Sequence, residues 1–352
     1  ILVGQLSHNP QLELIIEQIS RQWHCVVLCE HLANMQNVSD AITHFDTILK
    51  ISDSSVLQKL KPDILLTVGG HIVSKRLKKF LRECRPVHYL ISESGELADT
   101  FQSLHAVIEG EPENILKNLL DTVPHPANNA EAIAYKMQWN SFQNALTQKI
   151  SGISIPWSDL SVIQLFLANM PSNTALHLAN SGTVRYAQLF ELPSNTQVYC
   201  NRGTSGIDGT LSTSVGFSVL HHGITYLIIG DLSFFYDMNV LMCRYITNNL
   251  RILLINNGGG GIFYQLPGSK KSPALAEYIA ASHSVSAKGW IESLGISYLS
   301  AKTVDELRQC MIPFTQTESH KTALCLEVFT DTLSNEKALK TFYEILENTS
   351  HE

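Results

Sequence analysis

The sequence predicts an α/β protein with two doubly wound domains, each built on a parallel sheet. Short apolar runs of strand length alternate with amphipathic helical stretches along the chain, as in strand-helix-strand units. The alternation pauses once, where Pro124, Pro126 and Asn128-Asn129 precede a polar helical stretch. With 352 residues, 44% of them hydrophobic, the chain is long enough for two separate cores.

The first series of elements predicts a domain over residues 1–127. Its elements alternate in the order strand 1–6, helix 11–22, strand 24–29, helix 56–60, strand 63–70, helix 74–83, strand 87–92 and helix 113–120. A polar helical stretch over 130–149 follows, and we expect a linker at 128–154.

The second series predicts a domain over residues 155–352. Ser158 precedes the helical stretch 160–168 and is expected to cap it. The later predicted elements are strand 175–180, a helix from 184, strand 197–201, a glycine-broken helix 205–220, strand 225–230, helix 234–246, strand 251–256, a loop 264–273, a helix ending near 294, strand 296–301, helix 304–311, strand 322–329 and helix 334–347.

The charge, cysteine content and apolar runs of the chain indicate which classes of function it supports. A net charge of −7 and a pI of about 6.1 give no general support for binding nucleic acid or a membrane surface. Seven cysteines without CxxC pairs argue against a disulfide framework, and Cys25 and Cys29 are expected to be buried thiols. No apolar stretch reaches the roughly 20 residues of a membrane span. We therefore expect a cytoplasmic protein.

The most informative stretch is 230–263. One apolar run ends in Gly230-Asp231, and the next ends in Asn256-Asn257 and four glycines, about one strand-helix-strand unit later. In a parallel sheet these residues meet at the carboxyl edge, where ligands bind. A carboxylate and an amide oxygen beside a glycine turn suit Mg²⁺ shared with phosphates. The plainer interpretations are a helix cap for Asp231 and a simple turn at Asn256-Asn257-Gly258.

The same stretch predicts individual ligands. Asp231 and the amide oxygen of Asn257 would bind the metal, and flexible glycines would let the carbonyl of Gly259 turn inward as a third ligand. Leu232 and Ser233 stand at a helix N-terminus, where backbone N–H groups and a hydroxyl can hold phosphate oxygens.

Three further groups follow predicted strands. Arg202 begins a glycine-rich segment, although it could be a surface charge, and Ser181 and Arg185 follow the strand 175–180. Lys75 and Arg76 open a helix, where positive charge opposes the helix dipole. That cost indicates either an anionic ligand or a solvated basic face.

The segments GDLSFFYDMN, INNGGGGIF, NRGTSGIDGTLST and NSGTVR resemble the 2-succinyl-5-enolpyruvyl-6-hydroxy-3-cyclohexene-1-carboxylate synthases, the MenD family of thiamine-diphosphate enzymes in menaquinone synthesis. The similarity is strong over 176–267 and weaker over 1–150. It implies a middle domain followed by a diphosphate-binding domain. It also implies thiamine diphosphate and Mg²⁺ as cofactors, and a homodimer or homotetramer for the full-length enzyme.

The resemblance also implies roles for particular residues. Mg²⁺ would be held by Asp231, Asn257 and the Gly259 carbonyl, and Ile207 would prop the cofactor in a bent conformation. Substrate carboxylates would be handled by Ser181, Arg185 and Arg202. Lys75 and Arg76 match a basic pair near the active site, and Ile262 and Phe263 match apolar residues lining it. The implied reaction decarboxylates 2-oxoglutarate and adds the resulting carbanion equivalent to isochorismate.

Two departures from the family pattern stand out. Gly258 replaces an asparagine found in many relatives, and we expect it to touch no proposed metal ligand. No residue matches the glutamate of the family's N-terminal domain, so we expect this chain alone to be inactive. The remaining alternatives are another thiamine-dependent 2-oxoacid decarboxylase or synthase, and a non-catalytic binding protein of the same fold.

Overall fold

Two compact units make up the chain, one of residues Ile1–Gly152 with Ile345–Glu352 and one of residues Ile153–Glu344. The computed structural model describes residues 1–124, 129–264, 267–318 and 320–348. Each unit contains a sheet of six strands whose pairs all run parallel. The predicted α/β class with two parallel sheets is confirmed. The predicted boundary between 127 and 128 lies outside the described residues, and the limits 1–127, 128–154 and 155–352 stay a prediction.

The first unit has the strand order β3-β2-β1-β4-β5-β6. Its elements are β1 Leu2–Val3, α1 Pro10–Trp23, β2 Val27–Cys29, β3 Ala41–Ile42, α2 Phe45–Ile51, α3 Ser54–Lys59, β4 Ile64–Val68, α4 Lys75–Cys84, β5 Val87–Ser92, β6 Leu104–Glu109, α5 Pro112–Thr122 and α6 Ala130–Gly152. The sequence did not predict β3, α2 or β6. β3 has two residues, and β6 is an edge strand of half-buried and exposed positions, so neither forms a clear apolar run.

The second unit has the strand order β11-β12-β10-β9-β7-β8. Its elements are α7 Asp159–Asn169, β7 Ala175–Leu178, α8 Gly182–Ala187, β8 Gln197–Tyr199, α9 Thr210–Leu220, β9 Thr225–Gly230, α10 Asp231–Asp237, β10 Leu250–Asn256, α11 Pro267–Lys270, α12 Lys288–Ser293, β11 Ser297–Ala301, α13 Val304–Thr315, β12 Leu324–Phe329 and α14 Thr332–Asn348. Ser158 caps α7 in a capping box with Ser161, which confirms the predicted cap.

Three predicted helices of this unit differ most from the structure. α9 begins at Thr210 rather than Ser205, because Gly209 has a φ of +78° and ends the preceding loop. α10 starts at Asp231 and changes into a 3₁₀ turn at Met238–Met242, so the predicted helix 234–246 was wrong at both ends. The helix predicted to end near 294 consists of a π turn, Leu275–Ile279, and the short α12.

Within the described residues, no helix is long and apolar enough to cross a membrane.

In the first unit, two acidic residues hold the start of α4, the buried Glu30 and the half-buried Asp46. Both oxygens of Glu30 accept backbone hydrogen bonds, from the N–H groups of Val73 and Ser74, each at 2.7 Å. Ser74 caps α4 and donates its hydroxyl to Asp46, which also pairs with the guanidinium of Arg76. The Asp46 carboxylate supplies negative charge at a helix start that carries cations on its own first turn.

Glu30 gives this unit a testable pH dependence. Burial raises the pKa of Glu30 to about 7, above its ordinary value, although two backbone donors oppose the shift. The folded state therefore holds more protons than the unfolded state between about pH 4.5 and pH 7. The free energy of unfolding should fall across this window by on the order of 3 kcal/mol and then level off.

The measurement is urea unfolding from pH 4.5 to 8, on the wild-type protein and on Glu30→Gln. The variant cannot ionise at this position, so its unfolding free energy should lack this decrease. An identical pH dependence in both proteins would contradict the assignment.

Candidate functional site

The carboxyl ends of β7, β9 and β10 surround a cavity of about 320 Å³ in the second unit. Gly230 of β9 lies opposite Ile255 of β10, so Asp231 and Asn256 follow at the same edge. The two sequence motifs therefore meet, as the parallel sheet predicted. The predicted site residues that line this cavity are Ser181, Ile207, Asp231, Leu232, Ser233, Asn257, Gly259, Ile262 and Phe263.

Asp231 connects its own helix to the glycine turn after β10. One carboxylate oxygen accepts from the N–H of Leu232 at 2.6 Å, and the other accepts from Gly258 at 2.8 Å and Gly259 at 3.0 Å. The expectation that Gly258 touches no proposed metal ligand was therefore wrong. Burial raises the pKa of Asp231, while these donors and His283 lower it. Asp231 occupies the first helical position, after the cap residue Gly230, so it is not the N-cap of the plainer interpretation.

His283 approaches the same carboxylate from a loop. Its Nδ1 accepts from the backbone N–H of Val285 at 3.1 Å, which leaves the hydrogen on Nε2. That Nε2 is buried, lacks a hydrogen-bond partner in the described chain, and lies 3.4 Å from Asp231 Oδ2. The imidazole of His283 thus lies close to the central carboxylate of the cavity without a hydrogen bond to it.

The glycine turn is shaped by close backbone contact with the loop 280–283. Gly258 has a φ of +78° and Gly259 a φ of +143°, which side chains rarely adopt. A Cβ on Gly259 would lie 2.6 Å from the carbonyl oxygen of Ala280. The N–H of His283 donates to the Gly258 carbonyl, and that of Gly261 to the Gly259 carbonyl, each at 3.0 Å. The turn therefore requires glycine at Gly259.

Asn257 presents an unpaired oxygen in the cavity wall. Its Nδ2 donates to Asp159 Oδ2 at 2.7 Å. Its Oδ1 is buried and has no hydrogen-bond partner among the described residues. A buried acceptor without a donor is costly, and a cation would remove that cost.

The chemistry of these ligands suits a hard cation. In the described residues, no group of three or more His, Cys, Asp and Glu side chains could hold a metal. The oxygens available are the carboxylate of Asp231, the amide of Asn257 and main-chain carbonyls such as that of Gly259. Oxygen ligands with one or two carboxylates are typical of Mg²⁺ that also binds phosphate. The residues present fit such a metal.

Behind the cavity, Glu327 of β12 fixes the loops that form its wall. Its side chain is fully buried and accepts from Asn256 Nδ2 at 2.7 Å, Ser286 Oγ at 2.7 Å and Tyr298 Oη at 2.6 Å. The N–H of Ala287 adds a bond of 3.1 Å. Asn256 therefore turns away from the cavity, and of these two neighbouring amides only that of Asn257 lines it.

Asn180 joins the end of β7 to the glycine-rich segment 200–209. Its Nδ2 donates to the carbonyls of Asn201 and Gly206, each at 2.7 Å, and its Oδ1 accepts from Arg202 Nη1 at 2.6 Å. The next residue, Ser181, has a φ of +78° and lines the cavity. A positive φ at serine is uncommon and is often found at functional sites.

Leu232 and Ser233 already have partners within the protein. The N–H of Leu232 donates to Asp231, and the hydroxyl of Ser233 donates to the carbonyl of Ile207. The second bond ties the segment 200–209 to α10.

The predicted cations are placed differently. Arg185 lies in the last turn of α8 and Arg202 after β8, and neither lines the cavity in the described part of the chain. Lys75 and Arg76 belong to the first unit, where Lys75 is exposed and Arg76 pairs with Asp46.

Sequence reasoning missed four residues of this site, namely Asp159, Asn180, His283 and Glu327. Asn180 ends the apolar run 175–180 that was predicted as a strand, a signal that could have identified it. In the sequence, Asp159 has the pattern of an acidic residue in the first turn of a helix. Glu327 has the pattern of an isolated charge in a strand. Their contacts depend on long-range packing.

Comparison with known proteins gives one family match. The family described as "Middle domain of thiamine pyrophosphate" matches residues 1–178, half of the chain.

Curated relatives are similar along most of the chain. Three are 2-succinyl-5-enolpyruvyl-6-hydroxy-3-cyclohexene-1-carboxylate synthases. That of Bacteroides fragilis is 40% identical over 91% of this chain and 56% of the relative. That of Bacteroides thetaiotaomicron is 39% identical over 98% and 61%, and that of Flavobacterium johnsoniae 35% identical over 98% and 62%. The chain thus spans less than two thirds of the length of these relatives.

Glu327 provides a test of the packing behind the cavity. Replacing it with alanine removes an acceptor shared by four donors, of which the Asn256 amide and the Ala287 N–H are buried, so Glu327→Ala should lower the unfolding free energy by about 1–3 kcal/mol. Glu327→Gln keeps one acceptor and should cost less. The exposed Glu292→Ala serves as the control and should stay within about 0.5 kcal/mol of wild type. Urea unfolding measures all three, and a Glu327→Ala protein as stable as the control would contradict this role.

Proposed function

The chain belongs to the thiamine pyrophosphate enzyme family defined by the middle domain, and on this premise we propose that its second unit binds thiamine diphosphate through Mg²⁺. We further propose that the protein takes part in 2-succinyl-5-enolpyruvyl-6-hydroxy-3-cyclohexene-1-carboxylate synthesis in menaquinone biosynthesis. The named function of the curated relatives supports the second proposal. The substrates would be 2-oxoglutarate and isochorismate.

One observation carries the cofactor proposal. The buried and unpaired Oδ1 of Asn257 lies in the same cavity wall as the buried carboxylate of Asp231. A divalent cation would give the amide oxygen a partner and would offset the cost of burying the carboxylate. We assign Asp231, Asn257 and the Gly259 carbonyl as its ligands.

When bound, thiamine diphosphate supplies the nucleophilic carbon and the electron sink that decarboxylation of a 2-oxo acid requires. The protein would bind the cofactor, orient it and enclose it. Ile207, Ile262 and Phe263 contribute apolar surface to the cavity, and we propose that they hold the organic part of the cofactor away from water. Leu232 and Ser233 line the same cavity and are proposed to face the diphosphate.

Both proposed substrates are polyanions, so their recognition requires donors and positive charge. We propose that Ser181, Arg185 and Arg202 bind substrate carboxylates, because guanidinium groups pair with carboxylates in a bidentate manner. The buried Nε of Arg202 has no partner among the described residues, which supports this role. We propose that Lys75 and Arg76 also bind substrate anions.

We also propose a cytoplasmic homodimer or homotetramer. The seven cysteines all carry free thiols, which fits a reducing compartment.

The metal proposal predicts the effect of Asp231→Ala. Removing this carboxylate should weaken Mg²⁺-dependent binding of thiamine diphosphate by more than about 100-fold, because a direct ligand is lost. Isothermal titration calorimetry on the full-length protein measures this effect. Asp305→Ala, which removes an exposed carboxylate paired with Arg308, is the control and should bind as wild type does. Unchanged affinity in Asp231→Ala would refute the metal assignment.

The substrate proposal predicts a role for Arg202. Arg202→Ala should raise KM for one acidic substrate by about 10–100-fold, and Arg202→Lys should recover only part of the loss because an ammonium cannot form the bidentate pair. Steady-state kinetics with each substrate varied in turn measures this, with the exposed Arg244→Ala as control. Unchanged KM values in Arg202→Ala would contradict the role.

Product analysis separates the remaining alternatives. A product that forms from 2-oxoglutarate only when isochorismate is present would support the synthase. Turnover of another 2-oxo acid without isochorismate would indicate a different thiamine-dependent reaction. A protein without cofactor binding or turnover would be a binding protein of the same fold.

A further inference from the structure

The Asn257 amide can offer either its oxygen or its NH₂ group to the cavity. Only the oxygen can bind a cation, so the function proposed above depends on which way the amide is turned. In the structure, Nδ2 donates to Asp159 Oδ2 at 2.7 Å, and Oδ1 is left in the cavity wall. A carboxylate accepts hydrogen bonds only, so Asp159 selects this orientation.

Asp159 is itself fixed from three sides. The hydroxyl of Thr330, which follows β12, donates to its other oxygen Oδ1. Its backbone N–H donates at 2.7 Å to the side-chain oxygen of Asn335 in α14, and its own backbone opens α7. The side chain is almost fully buried. Residues from three elements distant in sequence thus determine the direction of one amide.

A purely structural role for Asp159 would be to stabilise α7, because a negative charge interacts favourably with the positive end of the helix dipole. The cap of that helix is already complete, because Ser158 and Ser161 form a capping box. The carboxylate of Asp159 is bonded instead to Thr330 and Asn257. Its placement beside a second buried carboxylate, Asp231, is costly unless a cation is nearby.

We propose that Asp159 is the positioning residue that holds the Asn257 amide with its oxygen toward the bound metal. This role rests on the proposed Mg²⁺–thiamine diphosphate site and adds a residue outside the predicted set of ligands. Asp159 acts through Asn257 and through the hydrogen bond between them.

The test measures Mn²⁺ affinity of the full-length protein with thiamine diphosphate present, by electron paramagnetic resonance titration of free Mn²⁺. Asp159→Ala removes the acceptor and should weaken Mn²⁺ binding by about 10–100-fold, as loss of groups that orient metal ligands does. Asp159→Asn keeps an acceptor for Asn257 Nδ2 and should lose no more than about 5-fold. Near-wild-type Mn²⁺ affinity in Asp159→Asn would show that the orientation of the Asn257 amide matters, and not the negative charge of Asp159.

Ser158→Ala is the matched control. It removes the cap of the same helix and should lower the melting temperature while leaving Mn²⁺ affinity unchanged. If Asp159→Ala does not fold, Thr330→Val replaces it, since loss of the hydroxyl that holds Asp159 should weaken Mn²⁺ binding by about 3–10-fold.

The outcomes are distinct. Wild-type affinity in Asp159→Ala, equal losses in the alanine and asparagine variants, or no loss in Thr330→Val where it replaces the alanine variant would each overturn the positioning role. A wild-type protein that binds no Mn²⁺ with thiamine diphosphate would instead refute the proposed function.

Discussion

The cavity of the second unit depends on the hydrogen bonds that the Asp231 carboxylate accepts. This carboxylate accepts backbone hydrogen bonds from its own helix and from the glycine turn after the neighbouring strand. These bonds require β9 and β10 to be adjacent and in this register, with Gly230 opposite Ile255. They also require glycine at Gly259, where the loop 280–283 approaches the turn. One buried side chain thus joins two strand ends, a helix start and a loop.

Two further buried carboxylates, those of Glu327 and Asp159, stabilise this arrangement. Glu327 accepts hydrogen bonds from β10, β11 and the loop before α12. Asp159 accepts hydrogen bonds from Thr330 and Asn257. A carboxylate without charge compensation is tolerated in a protein interior only when its lone pairs are hydrogen-bonded. Glu327 meets that condition with side-chain and backbone donors. Asp231 and Asp159 lie together on one wall, where a cation would complete the balance.

The sequence predicted the fold class and all six strands of the second sheet, because apolar runs such as Tyr226–Ile229 and Ile252–Ile255 are unambiguous. It missed β3 and β6, which are short or half exposed and carry no such run. Asp231 and Asn257 were identifiable because each follows a buried strand. Asp159 was not, because it meets Asn257 across 98 residues of sequence and only the packed structure brings them together. The local sequence pattern therefore predicts which residues lie at a sheet edge. The residues that orient them can be identified only from the packed structure.

The most direct measurement of the central claim is a crystal structure of the protein with thiamine diphosphate and Mn²⁺, with the metal located by its anomalous scattering. We predict one peak within about 2.3 Å of an Asp231 carboxylate oxygen and of Asn257 Oδ1, with Asn257 Nδ2 still bonded to Asp159. A metal bound elsewhere, or a diphosphate bound in this cavity without contact to Asp231 and Asn257, would contradict the account.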